Sequence, residues 1–476
     1  MDRVSNMKDF SRKDFLKLAS LSSVCLTLAS CLGLQNQRRG ENFSTLELID
    51  RYNSQYEQSR KVFNKRINKY PFVIAMCKST EDVSAAIRYG KANNFPIAVK
   101  SGGHSMDGFS SNDDGLVIDL SQINSVKLWP DRTVSAGPGC TLARLYDVLL
   151  PRQRIIPVGS CGSVGLGGLT LGGGYGFFSR EYGLTCDSLL EATVVDGNGL
   201  IHSTKKNPDL LWAIRGGGTG SFAIATELVF QTYSAPAQMQ VYQLKARKLN
   251  VSRTKSILRK WFTFCEQIPL SSFSAYILNG HTLTVLVTGF EGCADDLQRS
   301  IREFALCMDE CRANPPAELA VTLKRYYGSP VSLYFKNSSA GFYRGFKDIE
   351  PCIDQVIEKS MHTQGIIYQI NTLGGNISNF AFEEASCYPH RRFNFISELQ
   401  AYWQKPSQEE KLIAVTKEIQ SVFRLHGISS HYVNYGSLDF DDWQNAYYGK
   451  NYSKLQAIKK KYDPDNRLRH PQSINA

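Results

Sequence analysis

The chain has 476 residues, 42% of them hydrophobic, and a formal net charge of +11. That length and composition mark a globular protein with room for two domains. Its basic residues are scattered and the longest basic run is Lys459–Lys461, so the charge reads as a solvated surface and no nucleic-acid partner is expected.

Residues 1–31 read as an export signal. A charged stretch containing Arg3, Lys8, Arg12, Lys13 and Lys17 precedes an apolar and small-residue run, Leu18 to Ser30. A membrane span takes roughly 20 residues, so this run fits a secretory segment better. "LASC" resembles a bacterial lipobox, with Cys31 as the residue that would be lipidated. "SRKDFLK" resembles a twin-arginine signal in which Lys13 replaces the second arginine. The expected location is periplasmic or outer-surface, anchored to the membrane through Cys31.

After the leader, the polar stretch Arg51 to Pro71 is expected to wrap the surface. From Pro71 the text alternates between strand and helix. "PFVIAMC" is a strand, Ser79-Thr80-Glu81-Asp82 an N-cap cluster, and Val83, Ala86, Ile87 and Gly90 the inner face of a helix ending near Asn93. "FPIAVKSGG", "GLVIDLS" and "TVSA" follow as strands, and Thr141 opens another helix. Beyond Tyr233 the segments lengthen. "FSAYILNGHTLTVLVTGF" reads as two strands turning at Asn279-Gly280, and Asp295 to Arg312 as one amphipathic helix that carries Cys307 and Cys311. The expected fold class is α+β. Its parts are a first domain over 40–237, a second over 238–429 with an antiparallel sheet, and a tail, 430–476, that returns to the first.

Half of the residues from Gly159 to Gly176, "GSCGSVGLGGLTLGGGYG", are glycine. Ordering so much bare backbone carries a high entropic cost, and the interleaved Val, Leu and Tyr exclude a flexible linker. The alternative is backbone pressed against a flat or phosphorylated ligand. "KSGGHSMDG" sets two glycines before His104, whose imidazole can act as nucleophile or hydrogen-bond donor. Neither "GLGGLTLGGG" nor "RGGGTGSF" has dinucleotide-fingerprint spacing, and GxxxxGK[ST], GxSxG and HExxH are absent. The twelve cysteines contain no CxxC pair, so no metal site and no disulfide is expected.

"SGGHS", "PVGSCGSVGLGGLTLGGGYGFFSREYGLTCD", "LLWAIRGGG" and the tail from Tyr432 together resemble the berberine-bridge-enzyme-like group of the vanillyl-alcohol-oxidase superfamily, with its PCMH-type FAD-binding fold. The resemblance implies covalent FAD, bonded at its 8α-methyl to His104 and at its C6 to Cys161. It further implies cofactor contacts from Gly102, Gly103, Ser105, Gly159, Val164 and Gly165, from Gly168, Gly172, Gly173, Gly174 and Gly176, and from Tyr435. By the same resemblance a small-molecule hydroxyl substrate meets Glu398, in "CYPHRRFNFISELQAYW", and Tyr435, in "YVNYG"; either serves as base, with Tyr182 assisting. Val164 matches a position associated with oxygen access, which implies O2 as acceptor and H2O2 as product. Met106 and Leu169 depart from the family's usual substrate contacts. The alternatives are a dehydrogenase that passes electrons to a quinone or protein acceptor, and a surface lipoprotein without catalysis.

Overall fold

Ser79 opens the first long helix as its sequence predicts. Its hydroxyl accepts from the Asp82 amide, Asp82 accepts from the Ser79 amide, and helix α1 (Thr80–Ala92) buries Val83, Ala86, Ile87 and Gly90. The computed structural model describes residues 46–290 and 294–476, so the export signal with Lys13 and Cys31 lies outside the described residues.

Helix α1 packs with a four-stranded sheet of β1 (Glu47–Asp50), β2 (Val73–Met76), β3 (Ile97–Lys100) and β4 (Leu116–Asp119), ordered β1-β2-β4-β3. Strand β1 is antiparallel to β2, while β2 and β3 run parallel to β4. Every residue of β4 is buried, which is why it reads as an unbroken apolar run closed by Asp119. Lys100 pairs with Asp119 at 2.8 Å where β3 ends.

A second sheet is antiparallel throughout. It contains β5 (Val126–Leu128), β6 (Thr133–Ala136), β7 (Leu189–Asp196), β8 (Ile201–Ser203) and β9 (Ala223–Gln231), ordered β5-β6-β9-β7-β8. Thr141 caps helix α2 (Leu142–Leu149) by accepting from the Arg144 amide, and the short helix α3 (Leu166–Leu171) follows inside the glycine-rich stretch.

The third sheet carries the opposite wall of the site. Its strands are β10 (Gln238–Ala246), β11 (Ser272–Asn279), β12 (Thr282–Phe290), β13 (Glu310–Ala313), β14 (Tyr334–Tyr343), β15 (Ile366–Thr372) and β16 (Phe395–Trp403), in the order β13-β10-β12-β11-β15-β16-β14. The β11–β12 hairpin pairs Asn279 with Thr282, and Gly280 takes φ +54° in its turn. Helices α4 (Val251–Gln267), α6 (Ile353–His362) and α7 (Glu409–Leu425) cover one face, where Trp261, Val356 and Phe423 meet Tyr276, Tyr368 and Leu399. Strand alternation sends the neighbours of Leu399, Glu398 and Gln400, to the other face.

Two expectations change. Helix α5 ends early (Ala294–Ala305), because the chain then pairs β13 with β10 along the sheet edge and sets Cys311 opposite Leu244. Helical periodicity yields there to an unpaired strand edge. The polar stretch 51–71 does more than wrap the surface: Asn64 is fully buried and donates to the Met106 and Phe335 carbonyls.

The second and third sheets share a core, in which Phe177 and Phe178 of the glycine-rich region meet Phe273 and Phe290, and residues 46–476 form a single compact unit. The tail returns to the first sheets, where Leu468 bridges Ile97 and the Gly197 amide donates to the Tyr462 carbonyl.

Candidate active site

Strand β3 delivers the chain into the loop Ser101-Gly102-Gly103-His104, and Gly103 adopts φ +70° to turn it. The His104 ring stacks on Phe63 at 4.0 Å between centroids and 19° between planes. Its Nε2 lies 3.1 Å from Ser163 Oγ. Burial lowers the imidazole pKa to about 4, against a bond to the Ser163 backbone that raises it, so the ring is neutral at physiological pH. Cys161 arrives from the loop before α3, and its Sγ lies 3.6 Å from the same Ser163 hydroxyl. The next residue, Gly162, ties this loop to the third-sheet side by donating to the Tyr327 carbonyl.

The two loops meet back to back. A Cβ on Gly102 would stand 2.3 Å from the Gly165 nitrogen, so glycine is required here for chain-to-chain approach.

His104 and Cys161 border a cavity of about 630 Å3, within the roughly 300–1,000 Å3 of sites that enclose a ligand. Gly102, Gly103, Ser105 and Gly159 line it too, as do Val164, Gly165, Gly168 and Gly176. Met106 and Leu169, the two departures, also face it. Gly172, Gly173 and Gly174 do not. This triplet threads between protein segments: Asn434 faces Gly172, Tyr388 faces Gly173 at φ +120°, and Thr185 faces Gly174. Tyr182 is absent from the cavity as well, because its turn directs it onto Tyr233, ring to ring at 4.3 Å.

The third sheet supplies the opposite wall. Glu398 is 6% exposed, accepts a short hydrogen bond from Gln400 Nε2, and has its pKa raised to about 7, principally by burial. Gln400 also donates to Gln369 at 3.1 Å, and Gln369 donates to Asn371 at 2.9 Å. Asn371 donates to the Tyr175 hydroxyl at 3.0 Å, which lies 2.6 Å from the Tyr435 hydroxyl. Burial first, then the Glu398 charge, raises both tyrosine pKa values well above 10, so both remain O–H groups.

Tyr175, Phe63, Ser163, Gln369 and Asn371 were not singled out from sequence. Tyr175 lies inside the quoted glycine run, flanked directly by Gly174 and Gly176. Phe63 and Asn64 sit in a polar stretch that carries no pattern, and only the fold brings Phe63 to His104 and Asn64 to the Met106 carbonyl. Arg391 of the "PHR" segment pairs with Asp187 of "LTCD" in bidentate fashion, at 2.6 and 2.7 Å, with both side chains 1% exposed. That pair locks the end of the glycine-rich region to the chain leading into β16.

Several observations fit a large cofactor. Ser110 Oγ and Asn337 Oδ1, on cavity-lining residues, are buried without a partner among the described residues. Gly168 and Gly220 present bare backbone, with no neighbouring atom closer than 3.9 Å to a built Cβ, and Arg469 lines the same cavity. Backbone amides and a cation suit a phosphorylated ligand.

Fold and site together define an FAD-binding oxidoreductase. Residues 71–205 match the FAD binding domain family and residues 431–475 the berberine and berberine-like family. Over 441 residues the chain is 30% identical to YvdP, an FAD-linked oxidoreductase of Bacillus subtilis, covering 88% of this chain and 95% of that one. It is 30% identical over 452 residues to the chitooligosaccharide oxidase of Gibberella zeae, covering 88% and 90%. A solved structure of glucooligosaccharide oxidase from Acremonium strictum, a protein with 6-S-cysteinyl, 8α-N1-histidyl FAD, superposes with a TM-score of 0.82 at 26% identity, covering 91% and 97%. The chain belongs to the berberine bridge enzyme-like FAD-linked oxidoreductases, and its α+β, PCMH-type fold is the one its motifs imply.

Proposed function

We propose that the protein is an oxidase that removes hydride from a hydroxyl-bearing carbon of a sugar or related alcohol, with FAD held covalently through His104 and Cys161. The observation that carries this reading is the convergence of those two side chains on a single cavity whose far wall presents a buried carboxyl beside two tyrosines.

FAD, when bound, supplies the two-electron acceptor. The protein supplies the proton chemistry. Removing the substrate O–H proton as hydride departs requires a base that is ionised near neutral pH and shielded from water. Glu398 meets both conditions, whereas Tyr435 and Tyr175 keep their protons and serve as hydrogen-bond donors to the substrate oxygen. Asn337, Gln369 and Gln400 face the same space and can pair with several hydroxyls of a polyol. Val164 borders the cavity beside Cys161 and supports the reading of O2 as acceptor, with H2O2 as product. Residues 1–31 complete the proposal as an export signal that leaves Cys31 as a lipidated N-terminus. Recovery of the Cys31→Ala protein from the membrane fraction at the wild-type level would refute that part.

The test is acid precipitation of wild type, His104→Ala, Cys161→Ala and the double variant, followed by spectra of pellet and supernatant. Two attachment points predict a yellow pellet for wild type and both single variants, and a colourless one for the double variant. All flavin in the wild-type supernatant would overturn the covalent reading. A sugar panel then compares H2O2 with dye reduction, and dye reduction without H2O2 would make the enzyme a dehydrogenase.

A further inference from the structure

Ser163 stands between the two proposed attachment residues, within 3.1 Å of His104 Nε2 and 3.6 Å of Cys161 Sγ. No motif singles it out. One hydroxyl has one hydrogen to donate and lone pairs to accept, so it donates to one of the two partners and accepts from the other. If Nε2 carries the imidazole proton, Ser163 Oγ accepts it and turns its own hydrogen toward the sulfur.

We propose that Ser163 is the positioning residue for covalent flavin attachment: its hydroxyl accepts the Nε2–H of His104, which leaves Nδ1 with the lone pair that forms the bond, and donates its hydrogen to Cys161 Sγ, which orients the sulfur. The inference rests on the FAD attachment proposed above. The rest of the environment agrees with it. Phe63 holds the imidazole plane by stacking, and burial keeps the ring neutral, so one nitrogen carries the proton and the other the lone pair, as the assignment requires. Attachment at His104 forms one N–C bond, breaks one C–H bond of the flavin methyl group and releases the imidazole N–H proton. Attachment at Cys161 forms one C–S bond and breaks the thiol S–H and the flavin C6–H bonds. In each arm the two electrons and two protons leave with molecular oxygen, giving H2O2. Ser163 holds the Nε2–H by accepting its hydrogen bond as positive charge develops on the ring.

The experiment separates the two arms. In the Cys161→Ala background only His104 can attach, and in the His104→Ala background only Cys161 can. Each background is compared with Ser163→Ala and Ser163→Thr added, following flavin in the acid-precipitated pellet over time with excess FAD; peptide mass identifies the modified residue. Losing one hydrogen bond predicts attachment about tenfold slower in Ser163→Ala in both arms, with FAD still bound non-covalently in the supernatant fraction. Ser163→Thr, which keeps the hydroxyl, restores the parent rate. Equal rates in Ser163→Ala and its parent overturn the proposal, and so does slow attachment in Ser163→Thr, which would assign the effect to shape. A colourless pellet from both backgrounds with Ser163 intact overturns the attachment reading itself, and this inference with it.

Discussion

Replacing Glu398 with glutamine should stabilise the protein, and by an amount that depends on pH. The carboxyl is 6% exposed, and burial raises its pKa from 4.5 to about 7. Below pH 4.5 it is neutral in both folded and unfolded chains and costs nothing. Between pH 4.5 and about 7 the unfolded chain loses the proton first, so stability falls as pH rises. Above about pH 7 the loss is complete; at 1.36 kcal/mol per pH unit it amounts to about 3 kcal/mol. Glutamine keeps the shape and still accepts from Gln400, but carries no charge to desolvate. The expected result is a melting temperature a few degrees above wild type at pH 8, converging with wild type near pH 4.5. Thermal unfolding of both proteins across that range, with flavin content matched, measures it. Coincident curves at pH 8, or a stabilisation equally large at pH 4.5, would show that Glu398 does not carry a strained charge.

The same carboxyl governs the expected rate profile. Turnover should rise with pH through about 7 on a single proton, and Glu398→Gln should remove that limb while lowering kcat by roughly 10²–10⁴-fold; a wild-type profile flat from pH 5 to 9 would exclude Glu398 as the base. Arg391→Ala leaves Asp187 buried without its cation and should cost about 3–5 kcal/mol, read as a lowered melting temperature, whereas a surface pair such as Lys255–Asp354 should matter far less.

Several elements in and around all three sheets were legible because local chemistry and tertiary demand agree there. The Ser79–Asp82 capping box, the Thr141 cap and the Asn279-Gly280 turn are short-range devices whose residue types leave few alternatives. The segment after Ala305 was not legible, since the choice between another helical turn and a strand rests on whether a sheet edge, far away in sequence, needs a partner. The glycine-rich stretch was half legible. Its density announces close approach, but the sequence does not say what approaches. Gly168 opens on the cavity, Gly165 on the loop of Gly102, and Gly174 on Thr185.

By itself, the sequence determined the fold class and the FAD cofactor, and through its family resemblance it pointed to His104 and Cys161, because motifs that hold a cofactor are local runs of backbone and side chain. Only the tertiary structure decided who assists them. Phe63, Ser163, Tyr175 and Asn371 come from three separate segments and acquire their places from burial and neighbours, while Glu398, to which the motifs already point, acquires its burial there. A carboxyl with a pKa near 7 and a tyrosine that keeps its proton are consequences of desolvation, and desolvation is a property of the packed chain, invisible in the order of its residues.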